Sequence, residues 1–470
     1  MSHQNLVAVE EENQERTPAN LPCNPSSPED LSNKNKDDKL AGFLSSVTNL
    51  LNTIIGSGVL AMPYAMSLMG VTLGVFVIIL SGITSALGLY FLGCSAAKLE
   101  RGKASFSSVS MITYPSAAIL FDLTIGVQCF GVCVSYLILM GDIMPQILKT
   151  FNSSISDTSY LVNPRFWNTI FIFILSPFAF FRRLDSFRYI SFFAMVSISY
   201  MALIIIVYFF RENVWTTGTK VHLFKVKGVS HFFSAISIYA FTFACHQNMF
   251  PIVNEIRDNS RKNILSVVVV SVGISFVIYL LVSLIGYLSF GVNVPGNIVL
   301  AYKYSIPVLI ARIGIVILIA FSYPLQFYPA RTSFDKILWR PKFFATENKS
   351  KFYGSLRFNL LSFFMLLFSY ILAMVIGSFE IVLAYIGSIS SVTCFIIPGL
   401  FYNKLAYCPD VLYKKDPQDN EQGSDDSQLI EKKKFTKTWY LQKTAVFLCI
   451  YGIFILIACL ISNIIDTIKK

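Results

Sequence analysis

Charge is what this 470-residue sequence has least of: 14% of its residues are charged, against about 25% in ordinary soluble domains. A mean hydropathy of +0.60 and a 54% share of hydrophobic residues exclude an ordinary soluble fold and point to an all-α polytopic membrane protein. The nine cysteines include no metal-type CxxC pair. Most of them (Cys94, Cys129, Cys133, Cys245, Cys394, Cys449 and Cys459) sit inside apolar runs, so no disulfide framework is expected, and Cys129 and Cys133 read as packing residues. There is no HExxH, no Walker lysine motif and no interior cluster of acids and bases, which argues against an enzyme. The net charge of +11 lies in short loops between apolar runs rather than in a patch, which argues against nucleic acid and for topology signals.

What the sequence does contain is a series of long apolar runs. Residues 1–41 are polar, lack the apolar segment of a signal peptide, and read as a disordered cytosolic tail. About eleven spans follow, near 43–68, 71–97, 117–140, 165–181, 187–210, 231–253, 263–290, 305–330, 357–377, 379–402 and 442–464. The region 42–402 is expected to form a ten-helix core with repeats 42–210 and 231–402. A charged cytosolic loop, 403–441, and an eleventh span within 442–470 complete the chain. With the amino terminus cytosolic, one set of loops carries Lys98, Arg101, Lys103, Arg182, Arg183, Arg188, Arg257, Arg261 and Lys262, then the clusters Arg331–Arg357 and Lys404–Lys443. That is well over twice the lysines and arginines of the opposite set, a positive-inside pattern that leaves the carboxyl terminus non-cytosolic. All four tryptophans fall at or just beyond span ends, where amphipathic rings prefer to sit.

Two spans are interrupted. The first, FLSSVTNLLNTIIGSGVLAMPYAMSL, is broken by Gly56, Ser57, Gly58 and Pro63. Glycines weaken a helix interior and proline removes a ladder bond, and in hydrocarbon the freed backbone groups need protein, water or a ligand. The glycines alone also suit a close-packed helix face, but the polar Thr48, Asn49, Asn52 and Thr53 beside them favour a binding site. Five spans on, HFFSAISIYAFTFACHQNMFPIV carries Cys245-His246-Gln247-Asn248 and then Pro251 inside an apolar run. Breaks at corresponding positions of two five-span halves point to inverted repeats with a solute held between them.

The blocks TNLLNTIIGSGVLAMPYA, FGVCVSYLILMGDIMPQI, YAFTFACHQNMFPIVNE and YPLQFYPARTS resemble the amino acid/auxin permease family, and most of all its fungal vacuolar amino acid transporters. The resemblance runs from about Ser45 to Ile464. It implies an eleven-span, LeuT-like 5+5 fold with spans one and six broken around a central amino acid. This sequence departs from the LeuT pattern in having no glycine at the sixth-span break.

A zwitterionic amino acid needs donors for its carboxylate and acceptors for its ammonium. The N–H groups of Ser57, Gly58 and Val59 would form a positive helix start, with Gly56 and Gly58 letting the ligand reach the backbone. The carbonyls from Thr53 to Ile55 and those near Phe243 and Ala244 would receive the ammonium. His246 is either a proton-coupling imidazole or a neutral bridge between helices. The family resemblance makes Asn52 a cation ligand with Ser322 as its partner hydroxyl, although both can also cap a broken helix. Asp122 and Asp142 read as interfacial or gating charges, and Arg312 as a residue that snorkels outward or attracts an anionic substrate.

The expected activity is secondary active transport of neutral or acidic amino acids out of an acidic lumen across the vacuolar membrane. No cofactor is called for beyond H⁺ or Na⁺ as coupling ion, and the partners are the amino acid and the lipid bilayer. Sodium-coupled uptake at the plasma membrane and an amino acid sensor with little flux are the alternatives. The layout places Asn152-Ser153-Ser154 outside the cytosol and Asn348-Lys349-Ser350 inside it. Asn152→Gln is expected to abolish an endoglycosidase-sensitive gel shift and Asn348→Gln to leave it unchanged; the reverse result overturns the topology.

Overall fold

The computed structural model describes residues 41–99, 102–152, 154–156, 158–181, 190–211, 220–338, 351–407 and 426–469. The expected tail up to residue 40, the Asn348 acceptor and the 408–425 part of the expected loop lie outside them. Among the described residues the regular structure is helical. A lone parallel bridge is the exception: the N–H of Ala41 donates to the Glu255 carbonyl at 2.8 Å, and the N–H of Arg257 donates to the Ala41 carbonyl at 3.0 Å.

Eleven helical segments follow the expected order. Span one comprises Phe43–Ile54 and Met62–Met69, span two Val71–Ala96, span three Ala118–Phe151, span four Pro164–Ala179 and span five Ile190–Arg211. Span six comprises Val229–Thr242 and Met249–Glu255, span seven Arg261–Phe290, span eight Ile306–Leu338 and span nine Lys351–Ile376. Span ten runs through Phe379–Ser391 and Ile397–Tyr407, either side of a π-turn at Val392–Ile396, and span eleven is Asp426–Lys469. Eight of these helices are long and apolar enough to cross a membrane, nine if the bent halves of span one count together. The other two are span four, with 16 residues, and span six, whose halves have 14 and 7.

Several helices outrun the lengths expected from hydropathy. Span three has 34 residues, about 50 Å against a hydrocarbon core of roughly 30 Å. Span eleven begins at Asp426 rather than 442, because no glycine or proline interrupts its polar first turns. Large apolar side chains on the outside of the bundle, such as Phe364, Phe368, Phe447 and Phe454, are exposed and form a lipid-facing surface.

Span three is buried over most of its length and packs along span eight, while the first half of span six packs against spans ten and eleven. Small residues set these distances. A Cβ on Gly387 of span ten would collide with the backbone of Ser237 in span six, and one on Gly399 would meet the Ala445 carbonyl at 2.6 Å in span eleven. Arg312 corrects an expectation: it does not snorkel but is fully buried, donating from Nη2 to the carbonyls of Tyr302 (2.8 Å) and Val299 (3.1 Å). The loop before span eight folds back and leaves carbonyls that a nearby guanidinium satisfies more cheaply than the bilayer interface can reach it.

The packing yields a contrast between two glycines. Gly387→Ala is expected to lower stability by about 1–3 kcal/mol, the usual cost of overpacking against backbone, read as a fall in the thermal midpoint of the detergent-solubilised protein. Gly273→Ala, whose new methyl would meet nothing within 4 Å, is expected to leave the midpoint in place.

Candidate functional site

The break in span one is short and sharp. Its first half ends at Ile54; Ile55 and an extended Gly56 (φ −118°, ψ −159°) then lead into a 3-10 turn, Ser57–Ala61, and the two halves meet at a 44° bend. Pro63 opens the second half, where its missing N–H costs nothing. In span six the helix ends at Thr242, and Phe243, Ala244 and Cys245 carry the chain to a 3-10 turn, His246–Asn248. Phe243 (φ −90°), Cys245 (φ −122°) and Asn248 (φ −95°) make this turn at negative φ, where no glycine is needed.

The breaks are held to each other and to neighbouring helices. Tyr279 of span seven, fully buried, places its hydroxyl 2.5 Å from the Ile54 carbonyl and 3.0 Å from the Thr242 carbonyl, so one phenol serves the last turns of both first halves. Its ring also meets Phe243 edge-on at 5.1 Å. Ser85 of span two donates to the Phe243 carbonyl at 3.0 Å. Asn248 donates through Nδ2 to Thr53 Oγ1 at 2.9 Å, tying the sixth-span turn to span one. The two helices touch at Gly58, where a Cβ would lie 3.0 Å from Thr242 Oγ1 and 3.2 Å from the Phe241 ring.

Between the breaks lies a cavity of about 350 Å³. Spans one and six line it with Asn49, Asn52, Thr53, Ile55, Gly56, Ser57, Gln247, Asn248 and Glu255, and span eight with Ser322 and Gln326. A smaller chamber of about 40 Å³ adjoins it, reached by Gly58, Ala244, Gln128 and Tyr136. The floor of that chamber is fixed by a 2.6 Å hydrogen bond from Thr393, in the π-turn of span ten, to Gln128 Oε1. Glu255 is the one charged side chain among the lining residues of the two chambers. Asn52 Oδ1, Ser57 Oγ and Gln247 Oε1 are buried there without a hydrogen-bond partner in the chain. Unpaired buried polar atoms cost free energy, so three of them around one void suit a polar solute. A Cβ on Gly56 would meet nothing within 4 Å, so this glycine presents bare backbone to the space.

The residues singled out from the sequence are thus largely brought together. Asn52, Thr53, Ile55, Gly56, Ser57 and Ser322 line the main cavity, and Gly58 and Ala244 the inner chamber. Ser57 and Gly58 supply the first N–H groups of the 3-10 turn, while that of Val59 is engaged with the Gly56 carbonyl at 3.3 Å. Phe243 stands behind the break, with its carbonyl already accepting from Ser85. His246 lines neither chamber. Its fully buried ring points away, beside Gly88 of span two and the Ser85 backbone, without a hydrogen bond of ordinary geometry. Tyr279, Tyr136, Gln128 and Gln326 were not anticipated. For Tyr279 a signal was present: Ser271, Ser275, Tyr279 and Ser283 recur every four residues in an apolar span, one polar stripe on one face.

Comparison with known proteins adds the following. The family described as transmembrane amino acid transporter protein matches residues 39–409. Vacuolar amino acid transporter 5 of Schizosaccharomyces pombe is 38% identical over 364 residues, covering 77% of this chain and 84% of that protein. Vacuolar amino acid transporter 5 of Saccharomyces cerevisiae is 33% identical over 408 residues, covering 77% and 88%. Sodium-coupled neutral amino acid symporter 2 of Danio rerio is 25% identical over 392 residues, covering 78% and 76%. Among solved structures, the nucleobase-cation-symport-1 family transporter Mhp1, closed with bromovinylhydantoin bound, superposes with a TM-score of 0.53 at 14% identity, covering 91% and 92%. This likeness places the chain in the LeuT-like fold.

Two adjacent glycine substitutions separate site from scaffold. Gly56→Ala is expected to fold with wild-type thermal stability and to lose ligand affinity at least tenfold, because its methyl enters the cavity. Gly58→Ala is expected to lower the melting temperature, because its methyl meets Thr242 and Phe241. Equal melting temperatures for the two would contradict the geometry.

Proposed function

Because the chain belongs to the transmembrane amino acid transporter family, we propose that it is a proton-coupled carrier of neutral amino acids in the vacuolar membrane, moving them from lumen to cytosol. The observation that carries this reading is the cavity between the two helix breaks. It offers backbone N–H groups and unpartnered side-chain oxygens to a zwitterion, and no lysine, arginine or histidine to an anionic side chain. That lining favours neutral over acidic substrates.

Location and direction rest on further support. The fungal relatives are named as vacuolar transporters. The cavity is lined by the first half of span one and the second half of span six, the halves that the lysine and arginine pattern assigns to the cytosolic side. On the opposite side Met62, Tyr239 and Tyr279 are fully buried, which supports an opening toward the cytosol. For proton coupling the candidate is His246, one residue from the cavity-lining Gln247, whose ring is wedged between span two and the π-turn of span ten. A proton there would act on the junction of three elements rather than on the substrate.

A sodium-coupled carrier is the second reading. It is favoured by Asn52 Oδ1, buried without a partner in a cavity that also contains Ser322, an oxygen pair suited to a hard cation. Uptake of a panel of radiolabelled amino acids into proteoliposomes distinguishes the two. With an imposed pH gradient and no sodium, flux of neutral amino acids is expected, and His246→Ala is expected to uncouple it from the gradient. Flux that needs sodium and ignores the pH gradient overturns the proton reading, and binding without flux replaces it with a sensor.

A further inference from the structure

We propose that a second cavity, at the opposite end of the bundle from the mouth of the central one, is an outer binding site for the ammonium group of a small amine. It encloses about 210 Å³ where the second half of span one (Tyr64), the start of span six (His231), the start of span ten (Glu380) and the end of span eleven (Asn463, Asp466) converge. The two cavities share no lining residue.

The charged lining is two carboxylates, one histidine and one lysine. Glu380 and Asp466 bring two carboxylates to the same space, and His231 Nδ1 stands 3.4 Å from Asp466 Oδ1. Asn463 is the independent witness. It is only 3% exposed, and its Nδ2 is committed to the Ala384 carbonyl and to Ser388 Oγ, both at 2.9 Å. Its Oδ1, buried in a residue that lines the cavity, has no partner in the chain. A buried amide that leaves its acceptor face unpaired, next to carboxylates, asks for a cation that carries hydrogen-bond donors. Among the described residues no three His, Cys, Asp or Glu side chains gather as metal ligands, and an ammonium brings the N–H donors that the unpaired Asn463 oxygen lacks. Lys469 at the rim gives the carboxylate of an amino acid a counter-charge, which the ammonium of a simple amine would not need.

The identity of the amine as an amino acid waiting to enter the carrier rests on the transport reading; the ammonium site itself does not. The full-length protein in nanodiscs would be labelled with a water-soluble diazoacetamide, which esterifies carboxyl groups and does not couple them to amines, with modification of Glu380 and Asp466 read by mass spectrometry. Methylammonium and L-glutamine are each expected to reduce labelling of both residues severalfold, with L-glutamine effective at the lower concentration. Sodium chloride at equal ionic strength is expected to give no protection. Protection by methylammonium alone would mean a simple-amine site, still an ammonium site. No protection by either amine, or equal protection by sodium, overturns the proposal.

In proteoliposomes Asp466→Asn is expected to raise the KM for uptake from the outer side about tenfold with little change in maximal rate, the size of effect expected on losing one charged hydrogen-bond partner. Gly56→Ala should weaken uptake and leave the protection of Glu380 and Asp466 from labelling intact. The labelling experiment needs no flux, so it can fail or succeed independently of the transport reading.

Discussion

The hydroxyl of Tyr279 is the point on which this architecture turns. A helix that stops inside a membrane leaves carbonyls that lipid cannot satisfy, and here two helices stop at the same depth. One buried phenol lies within hydrogen-bonding distance of the final turns of both, at Ile54 and Thr242. The two breaks are thereby held at a common level, with Gly56 and Ser57 of one and Ala244 and Gln247 of the other turned toward shared space. The rest of span seven repeats the device: Ser271 donates to the Val47 carbonyl and Ser283 to that of Met62. Span seven is thus a polar spine along which both halves of span one are seated.

With the backbone held this way, the cavity is free to remain unsatisfied. Asn52, Ser57 and Gln247 leave oxygens unpaired at the one place where a solute can reach them, while nearby scaffold groups such as Ser85, Thr53 and Thr393 find partners. A π-turn at Val392–Ile396 belongs to the same economy, since the wider turn brings the Thr393 hydroxyl to Gln128 across span three. Among the described residues, spans two, nine and eleven run as unbroken α-helix without such turns.

The broken first span was legible because glycine, proline and asparagine cannot share a membrane helix without a reason, and the sixth because a polar tetrad interrupts an apolar run. Span order was legible for the same cause, hydropathy acting over lengths set by the bilayer. Side-chain direction was not. Nothing local separates His246, whose ring turns to Gly88, from Gln247, which faces the cavity, because a 3-10 turn distributes neighbouring residues over different faces. Arg312 was misjudged from depth alone, since its partners are carbonyls of a loop whose return path depends on tertiary packing.

The small bridge between Ala41 and the end of span six carries a mechanical consequence. Its two backbone hydrogen bonds join the entry to span one to residues 255–257 at the cavity mouth, and the Asn248–Thr53 bond joins the same two segments deeper in. Two segments pinned at both ends are braced as one unit rather than as two separate flaps, so a load applied to one arm is felt by the other.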